Sequence, residues 1–510
     1  MRDTLKPAAW SLSAILLFLS ISLTACDQWS NGDPQVKPAE VSAESLQKRA
    51  GDVRAFYADR QWRPAWTSAA AGQLNRALDG AWDHGIDPGG FKAMVSAQDP
   101  VGREIELTRA ALAYAGALAH GLADPRAIFP IYDIEMNQPK LASGLSEALD
   151  HKNLARWLGG LAPQDAEYHK LSRAYLKFRE LAKRPQPPAI PHGATMKPGE
   201  SDPRIPQLAA RLRSDDYLSG KDARRSGDRY TDEIAAAVMA FQEEQGIAAD
   251  GVVGPATLAV LNAGPEDRAR QLALNLEARR WLSREVAPYR IDVNLPGAFL
   301  VLYRGGAEVE RRRVVVGSPG SQTPHLAYPF DQLIVNPTWT VPQRIAEEEI
   351  LPKGPDYMAA RNMSLVDGRV VQQTGPEAAL GLVKFDMQNQ YAIYLHDTQA
   401  KDLFDTNGRY YSHGCVRVQG AVDFARRLAQ HHGKGDEFDR KLASGNTAVV
   451  ELGAPVLVRL LYHTAFVDER GKVAFRPDMY GWDAALAAAL GAPAPMARDV
   501  DAAGVVSLGP

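Results

Sequence analysis

A chain of 510 residues exceeds what one hydrophobic core organises, so two to four domains are expected. Its 58 basic and 61 acidic residues nearly cancel, which excludes a dedicated nucleic-acid surface and any strong steering field. Two cysteines, one near the amino terminus and one far downstream, exclude a disulfide framework; no Cys-x-x-Cys pair points to structural zinc, and no cofactor motif is present.

Residues 1–25 read as a secretory signal: Arg2 and Lys6, an apolar run from Ala8 to Leu23, then Thr24-Ala-Cys26. Leu23-Thr-Ala-Cys26 resembles the bacterial lipobox, which implies cleavage before Cys26 and diacylation of its thiol. Asp27 resembles the residue that retains enterobacterial lipoproteins in the inner membrane. An uncleaved anchor is the alternative, because the run is nearly long enough to span a bilayer. On either reading the rest of the chain is expected in the periplasm, tethered to the inner membrane. Residues 26–44, with the polar, proline-containing stretch Gly32 to Glu40, form the tether.

From 45 to 184 the pattern is helical and reads as scaffold. Ala110-Ala-Leu-Ala-Tyr-Ala-Gly-Ala-Leu118 presents a small-residue face suited to close helix contact, and Asp87-Pro88 starts a new element. Trp62, Trp66 and Trp82 are read as core rather than as a ligand platform. Ser45-Leu-Gln-Lys48 fits the first motif of a penicillin-binding serine enzyme, but no Lys-Thr-Gly follows and the match is read as chance. Residues 185–204 are a proline-rich linker. From 205 to 262 a helix at Leu208 to Arg213, a second from Asp232 to Gln245 stopped by Gly246, a turn at Asp250-Gly251 and a third helix opened by Pro255 make a compact unit. Ala237-Val-Met-Ala-Phe-Gln242, Gly246-Ile247 and Asp250-Gly-Val-Val-Gly254 give it a resemblance to the three-helix peptidoglycan-binding domain. That resemblance implies a glycan partner, although the unit could equally brace its neighbour. A connecting helix follows over 263–286.

At Tyr289 the period changes to that of strands: Ile291 to Leu295, Phe299 to Tyr303, Glu308 to Val316, Leu333 to Val335, Val383 to Phe385 and Tyr391 to Leu395. A mostly β domain, sandwich or barrel-like, is predicted over 287–487, with 345–375 as a candidate lid insertion and 488–510 as a tail. The predicted fold is therefore multidomain α+β.

Its chemistry centres on Ser412-His-Gly-Cys415. Cys415 lies between His396 and His413 in sequence, and an imidazole beside a thiol is the usual device for making thiolate at neutral pH. Gly414 permits a tight turn and room for a substrate carbonyl. A zinc peptidase using His396, His413 and Asp397 is disfavoured, since Cys415 would then be a spectator and no His-x-x-x-His helix exists.

His396, fifteen or so residues, then Ser412-His-Gly-Cys415 resembles the signature of the L,D-transpeptidase (YkuD-type) family. Asn336-Pro-Thr-Trp-Thr-Val-Pro342, Gly381-Leu-Val-Lys-Phe385, Tyr394-Leu-His-Asp-Thr398, Leu403-Phe404 and Phe475-Arg-Pro-Asp-Met-Tyr480 are similar to its large Gram-negative periplasmic branch. Arg417, where many members carry asparagine, fits that branch; Ala378, commonly asparagine there, departs from it. The resemblance implies that Cys415 attacks the carbonyl of the third residue of a peptidoglycan tetrapeptide stem, releases D-alanine and passes the acyl group to a neighbouring stem as a 3→3 cross-link. His396 is then the base, oriented by the Asp397 backbone. His413 shapes the site or the oxyanion, with a base role left open, and Gly414 belongs to the oxyanion loop. Tyr394, Trp339, Arg417 and Ser412 are substrate-binding candidates, and carbapenem-type inhibitors are expected to acylate the thiol. Hydrolysis by water on the same thioester, as a carboxypeptidase or cross-link hydrolase, and a non-catalytic wall-binding protein are the alternatives.

Overall fold

The computed structural model describes residues 41–495 apart from Ser226, Pro376 and Asn407; the signal segment, Cys26 and most of the tether and tail lie outside the described residues. In the amino-terminal domain small side chains let helices approach a central one, Pro100–His120, in which Ala110, Ala111, Ala115 and Gly116 are buried. Asp99 caps that helix through the Gly102 amide, and Pro100 occupies a first-turn position where its missing N–H costs nothing. Trp66 is buried in this core, with Trp62 and Trp82 packed on its margin. Ser45 belongs to a capping box with Ser42, and Lys48 pairs with exposed Glu44, so the Ser-x-x-Lys quartet is a helix start.

The small module folds around Leu208, Ile234, Val238, Phe241 and Leu258. Thr231 caps Asp232–Gln245 and Gly246 ends it at φ 68°. Buried Gln242 then fixes the Asp250-Gly251 turn, donating to Asp250 and to the Val252 carbonyl, both at 2.9 Å. Helix Pro255–Trp281 leaves the module, kinks at Gly264-Pro265 and continues between the other two domains. Beyond the kink Leu272 and Leu276 enter the scaffold core while Leu274 and Trp281 enter the β-domain core. Asn275 donates to Thr464 Oγ1 at 2.8 Å and accepts from the Ala465 amide, and Gln271 donates to the Arg476 carbonyl at 2.8 Å.

The β domain closes on itself. Among the described residues the strands His325–Val335, Ala448–Leu461, Arg290–Asn294, Phe299–Arg304, Ala307–Gly317, Val416–Val418, Leu395–His396 and Val383–Phe385 are joined in that order, and the last pairs back onto the first. Closure removes open edges, and the interior is filled by Ile291, Val293, Leu300, Val314, Leu333, Phe385 and Val416, with Phe424 and Leu428 of helix Ala421–His431 added from outside. The scaffold strand Tyr132–Asp133 extends the sheet beside His325 and Leu326.

Residues 343–372 are more ordered than a polar lid. Strands Met363–Val366 and Arg369–Gln372 form a hairpin that takes in Trp339–Thr340, around a separate core of Trp339, Ile345, Ile350, Met358 and Val370. Its turn is Asp367-Gly368, both at positive φ, a hairpin signal flanked by Val366 and Val370 that the reading of 345–375 as a lid insertion overlooked.

Candidate active site

The strand that carries His396 is shorter than its alternating pattern. Tyr391 to Ile393 is a turn, with Ala392 at φ 54°, and only Leu395–His396 is strand. The cause is Asn389, whose Oδ1 accepts from the Tyr391 and Ile393 amides and whose Nδ2 donates to the Ile393 carbonyl at 2.7 Å. The two residues that remain are held on both sides. Leu395 and His396 run antiparallel to Phe385 and Lys384 and parallel to Val416 and Arg417. Lys384, His396 and Arg417 therefore form one row across three strands, and Tyr394 with Cys415 extends the same face.

His396 is fully buried. Its Nδ1 lies 2.5 Å from the Asp397 carbonyl, and because a carbonyl only accepts, Nδ1 carries the proton. Nε2 is thereby left with its lone pair, and that buried atom has no hydrogen-bond partner among the described residues. The Asp397 carboxylate faces away to other work: it accepts from the Leu382 amide at 3.0 Å and pairs with Lys401. Gly381 is required there, since a Cβ at its φ of 58° would collide with that carboxylate.

The Ser412–Cys415 loop is tied internally. Ser412 Oγ donates to the Cys415 carbonyl at 2.5 Å and accepts the Gly414 amide at 3.1 Å. This corrects two expectations. Ser412 is buried and its hydroxyl is consumed within the loop, so it is a brace and not a substrate contact. The Gly414 N–H is spent on Ser412 and does not face an oxyanion. Gly414 itself sits at φ 121°, where a Cβ would meet Ile393 Cδ1 at 3.1 Å. A second tier holds the loop from outside: Thr323 Oγ1 donates to the Gly414 carbonyl at 2.8 Å, and Tyr480 bonds both Gly317 and Thr323. Neither residue was singled out from sequence. Thr323 carries no local signal, whereas Tyr480 lay inside a segment quoted for its resemblance.

Cys415 is 8% exposed, with Sγ 3.6 Å from the Ala392 carbonyl and the Tyr394 side chain beside it. Burial pushes the thiol up to about 11, while the Tyr394 groups and the cations Lys384 and Arg417 pull the other way. Burial, then the Arg417 charge, pushes His396 down to about 3. Both shifts favour the neutral forms, so burial works against the thiolate that a neighbouring imidazole is expected to make. Arg417 is 1% exposed, its own value lowered to about 10 by burial and partly restored by Cys415. It is a buried residue of the sheet and not the exposed substrate contact expected of it.

Tyr394 stacks edge-on against His396 at 5.7 Å and packs on the insert core that contains buried Trp339. Trp339 is therefore a wall joining insert to site. The insert also reaches the nucleophile loop: a single π turn, Ala346–Ile350, presents Glu349 to His413 Nε2 at 2.5 Å. Ala378 is buried in the turn before Gly381. Among the described residues no group of three or more His, Cys, Asp or Glu is placed to hold a metal ion.

Residues 288–458 match the model of the L,D-transpeptidase catalytic domain, which spans His396, the nucleophile loop and the closed sheet described above. The chain carries an L,D-transpeptidase catalytic domain. Ahead of it, residues 51–174 match a scaffold domain and 201–261 a "Putative peptidoglycan binding domain". A Haemophilus influenzae protein named "Putative L,D-transpeptidase" is 34% identical over 217 residues, which cover 38% of this chain and 44% of that relative. The chain thus aligns with less than half of that relative's length. Two solved structures are also similar. The Ldtfm–avibactam carbamoyl enzyme is 17% identical at a TM-score of 0.19, covering 34% of this chain and 49% of that one. A cysteine-to-serine mutant of the Enterococcus faecium L,D-transpeptidase is 15% identical at 0.18, covering 34% and 50%. At those scores they add nothing to the family match.

Proposed function

We propose that the protein is a peptidoglycan L,D-transpeptidase that works by acyl transfer through Cys415. The observation that carries this is the free lone pair of buried His396 Nε2, on the same sheet face as the thiol, with Nδ1 fixed by the Asp397 carbonyl. As Sγ attacks the carbonyl of the third stem residue, its proton passes to Nε2, and the tetrahedral oxyanion collapses to a thioester with loss of D-alanine. The imidazolium supplies the proton that the leaving amine needs. The amine of a neighbouring stem then attacks, returning Cys415 as thiol and leaving a 3→3 cross-link. With the Gly414 N–H committed to Ser412, the Cys415 amide is the loop donor assigned to the oxyanion. His413, held by Glu349, positions the loop.

The match of residues 201–261 supports glycan binding by the small module, which would keep the thiol near the wall. Export and lipidation at Cys26, with periplasmic anchoring at the inner membrane, belong to the same reading. Among the described residues no helix is long and apolar enough to cross a membrane.

The test is incubation of the purified protein with tetrapeptide muropeptides, followed by mass spectrometry. Loss of D-alanine with a 3→3 dimer is expected; tripeptide monomer alone identifies a hydrolase. Cys415→Ala must remove both products, and its retention of either defeats the thioester route. A carbapenem should add its mass to Cys415.

A further inference from the structure

One contact between the domains ends close to the nucleophile and has no part in the chemistry above. The scaffold strand Tyr132–Asp133 is locked to the catalytic sheet by Tyr132, whose ring packs among Phe129, Trp281 and His325. That fixes the Asp133 carboxylate, whose Oδ2 receives two phenols from the catalytic domain. Tyr328, on the strand His325–Val335, donates at 2.5 Å, and Tyr391 donates at 3.4 Å. Tyr391 accepts from Gln390 Nε2 at 3.0 Å, which leaves its own hydrogen free to point at Asp133, and a carboxylate only accepts. Tyr391 opens the turn held by Asn389. Two residues of that turn touch the nucleophile loop: the Ala392 carbonyl lies 3.6 Å from Cys415 Sγ, and Ile393 Cδ1 is the atom that a Cβ on Gly414 would meet.

We infer that Asp133 is a positioning residue for the thiol: through Tyr391 the scaffold domain sets where the 391–393 turn stands against the nucleophile loop. The inference rests on the acyl-transfer reading above. Asn389 fixes the internal shape of the turn, because its bonds run to Tyr391 and Ile393 of the same stretch. Those bonds are local and do not hold the turn against the rest of the molecule. The Asp133–Tyr391 bond does, and it spans 258 residues of chain. The Ala392 carbonyl accepts the thiol hydrogen, so its place selects the Cys415 rotamer, while Ile393 backs Gly414 at its strained φ of 121°. Release of the turn lets both contacts drift, and the path from Sγ to His396 Nε2 is no longer held. If the carboxylate served only to dock the two domains, Tyr328 would be its main partner, since that bond is the shorter. The two roles therefore separate by phenol: Tyr328 docks and Tyr391 positions.

The test measures D-alanine release from tetrapeptide muropeptides by the full chain carrying Asp133→Ala, Tyr391→Phe, both together, or Tyr328→Phe. Tyr391→Phe keeps the ring and its packing, and should lower kcat about fivefold to tenfold at unchanged KM. Asp133→Ala should lower kcat by the same factor, and the double variant by no more than either single one, because all three break one link. Asp133→Asn keeps an acceptor oxygen and should recover most of kcat. Tyr328→Phe should lower Tm and leave kcat close to that of the wild type. A wild-type kcat in Tyr391→Phe overturns the inference, as does a double variant in which the two losses multiply, or a loss carried by KM. If Asp133→Ala fails to fold, the two phenylalanine variants decide: a greater loss of kcat from Tyr328→Phe, in step with its Tm, is the mark of docking alone and also overturns the inference. Absence of D-alanine release by the wild type defeats the acyl-transfer reading itself, and the positioning role with it.

Discussion

Replacing Ser412 by alanine removes one oxygen that serves two backbone groups at once. The Gly414 amide and the Cys415 carbonyl would both be left buried without their 3.1 and 2.5 Å partner. Each orphaned group costs about 1–3 kcal/mol, so the loop loses on the order of 3 kcal/mol once it relaxes. In a domain of this size that corresponds to a fall in Tm of about 6–12 °C. Relaxation also moves Cys415 with respect to His396 Nε2, and a displacement near 1 Å costs about a hundredfold in rate. Calorimetry together with D-alanine release should therefore show a lower Tm and a kcat reduced about a hundredfold, with KM changed little. Ser412→Thr, which keeps the hydroxyl, should recover most of both. A rise in KM alone, at unchanged Tm, would refute the brace and restore Ser412 as a substrate contact.

Further expectations follow from the same site. Since the His396 value is about 3 in the folded state and near 6.5 when unfolded, the unfolded chain takes up the extra proton, and stability falls as pH drops from about 6.5 towards 3. His396→Gln should remove one proton's worth of that slope, about 1.4 kcal/mol per pH unit at most, in urea titrations run across that window. In the same variant residual carbapenem acylation should climb with pH towards about 11, because thiolate must then form by free ionisation. Glu349→Ala frees the insert from His413, and alkylation of Cys415 by a small maleimide should become several-fold faster; an unchanged rate would show that the insert does not limit access. Gly414→Ala forces a left-handed conformation and a contact with Ile393, so it should cost about 1–3 kcal/mol in stability and displace the thiol, seen as slower acylation.

The parts of the molecule legible in the sequence are those set by local rules. Gly246 and Pro255 mark the module because helix starts and stops depend on a few neighbouring residues. The strands from Ile291 to Val316 show themselves through alternation. Tyr391 to Leu395 alternates equally well yet turns, because Asn389 offers the backbone better partners than a sheet edge does. Closure of the sheet depends on Val383–Phe385 meeting His325–Val335, a pairing across some fifty residues that no local pattern encodes. In the site, His396 and Cys415 were legible as reactive types, but their resting protonation was not, since burial decides it and burial belongs to the whole fold. Thr323, Tyr480, Glu349 and Asp133 come from four separate stretches and reach the site only in three dimensions.

The hairpin Ala465–Val467 and Val473–Phe475 leaves the β domain and lodges Ala465 and Phe475 in the helical core, with Phe475 edge-on to Phe178 at 5.7 Å and the Val467 amide on Glu167. The amino-terminal domain is therefore closed by a segment made some 300 residues later. Before that segment docks, the domain stands with an apolar notch, open to solvent and to any other strand that fits. A chain truncated after its reactive cysteine would keep the notch open for good, and full burial of the scaffold core doubles as a record that the whole polypeptide was completed.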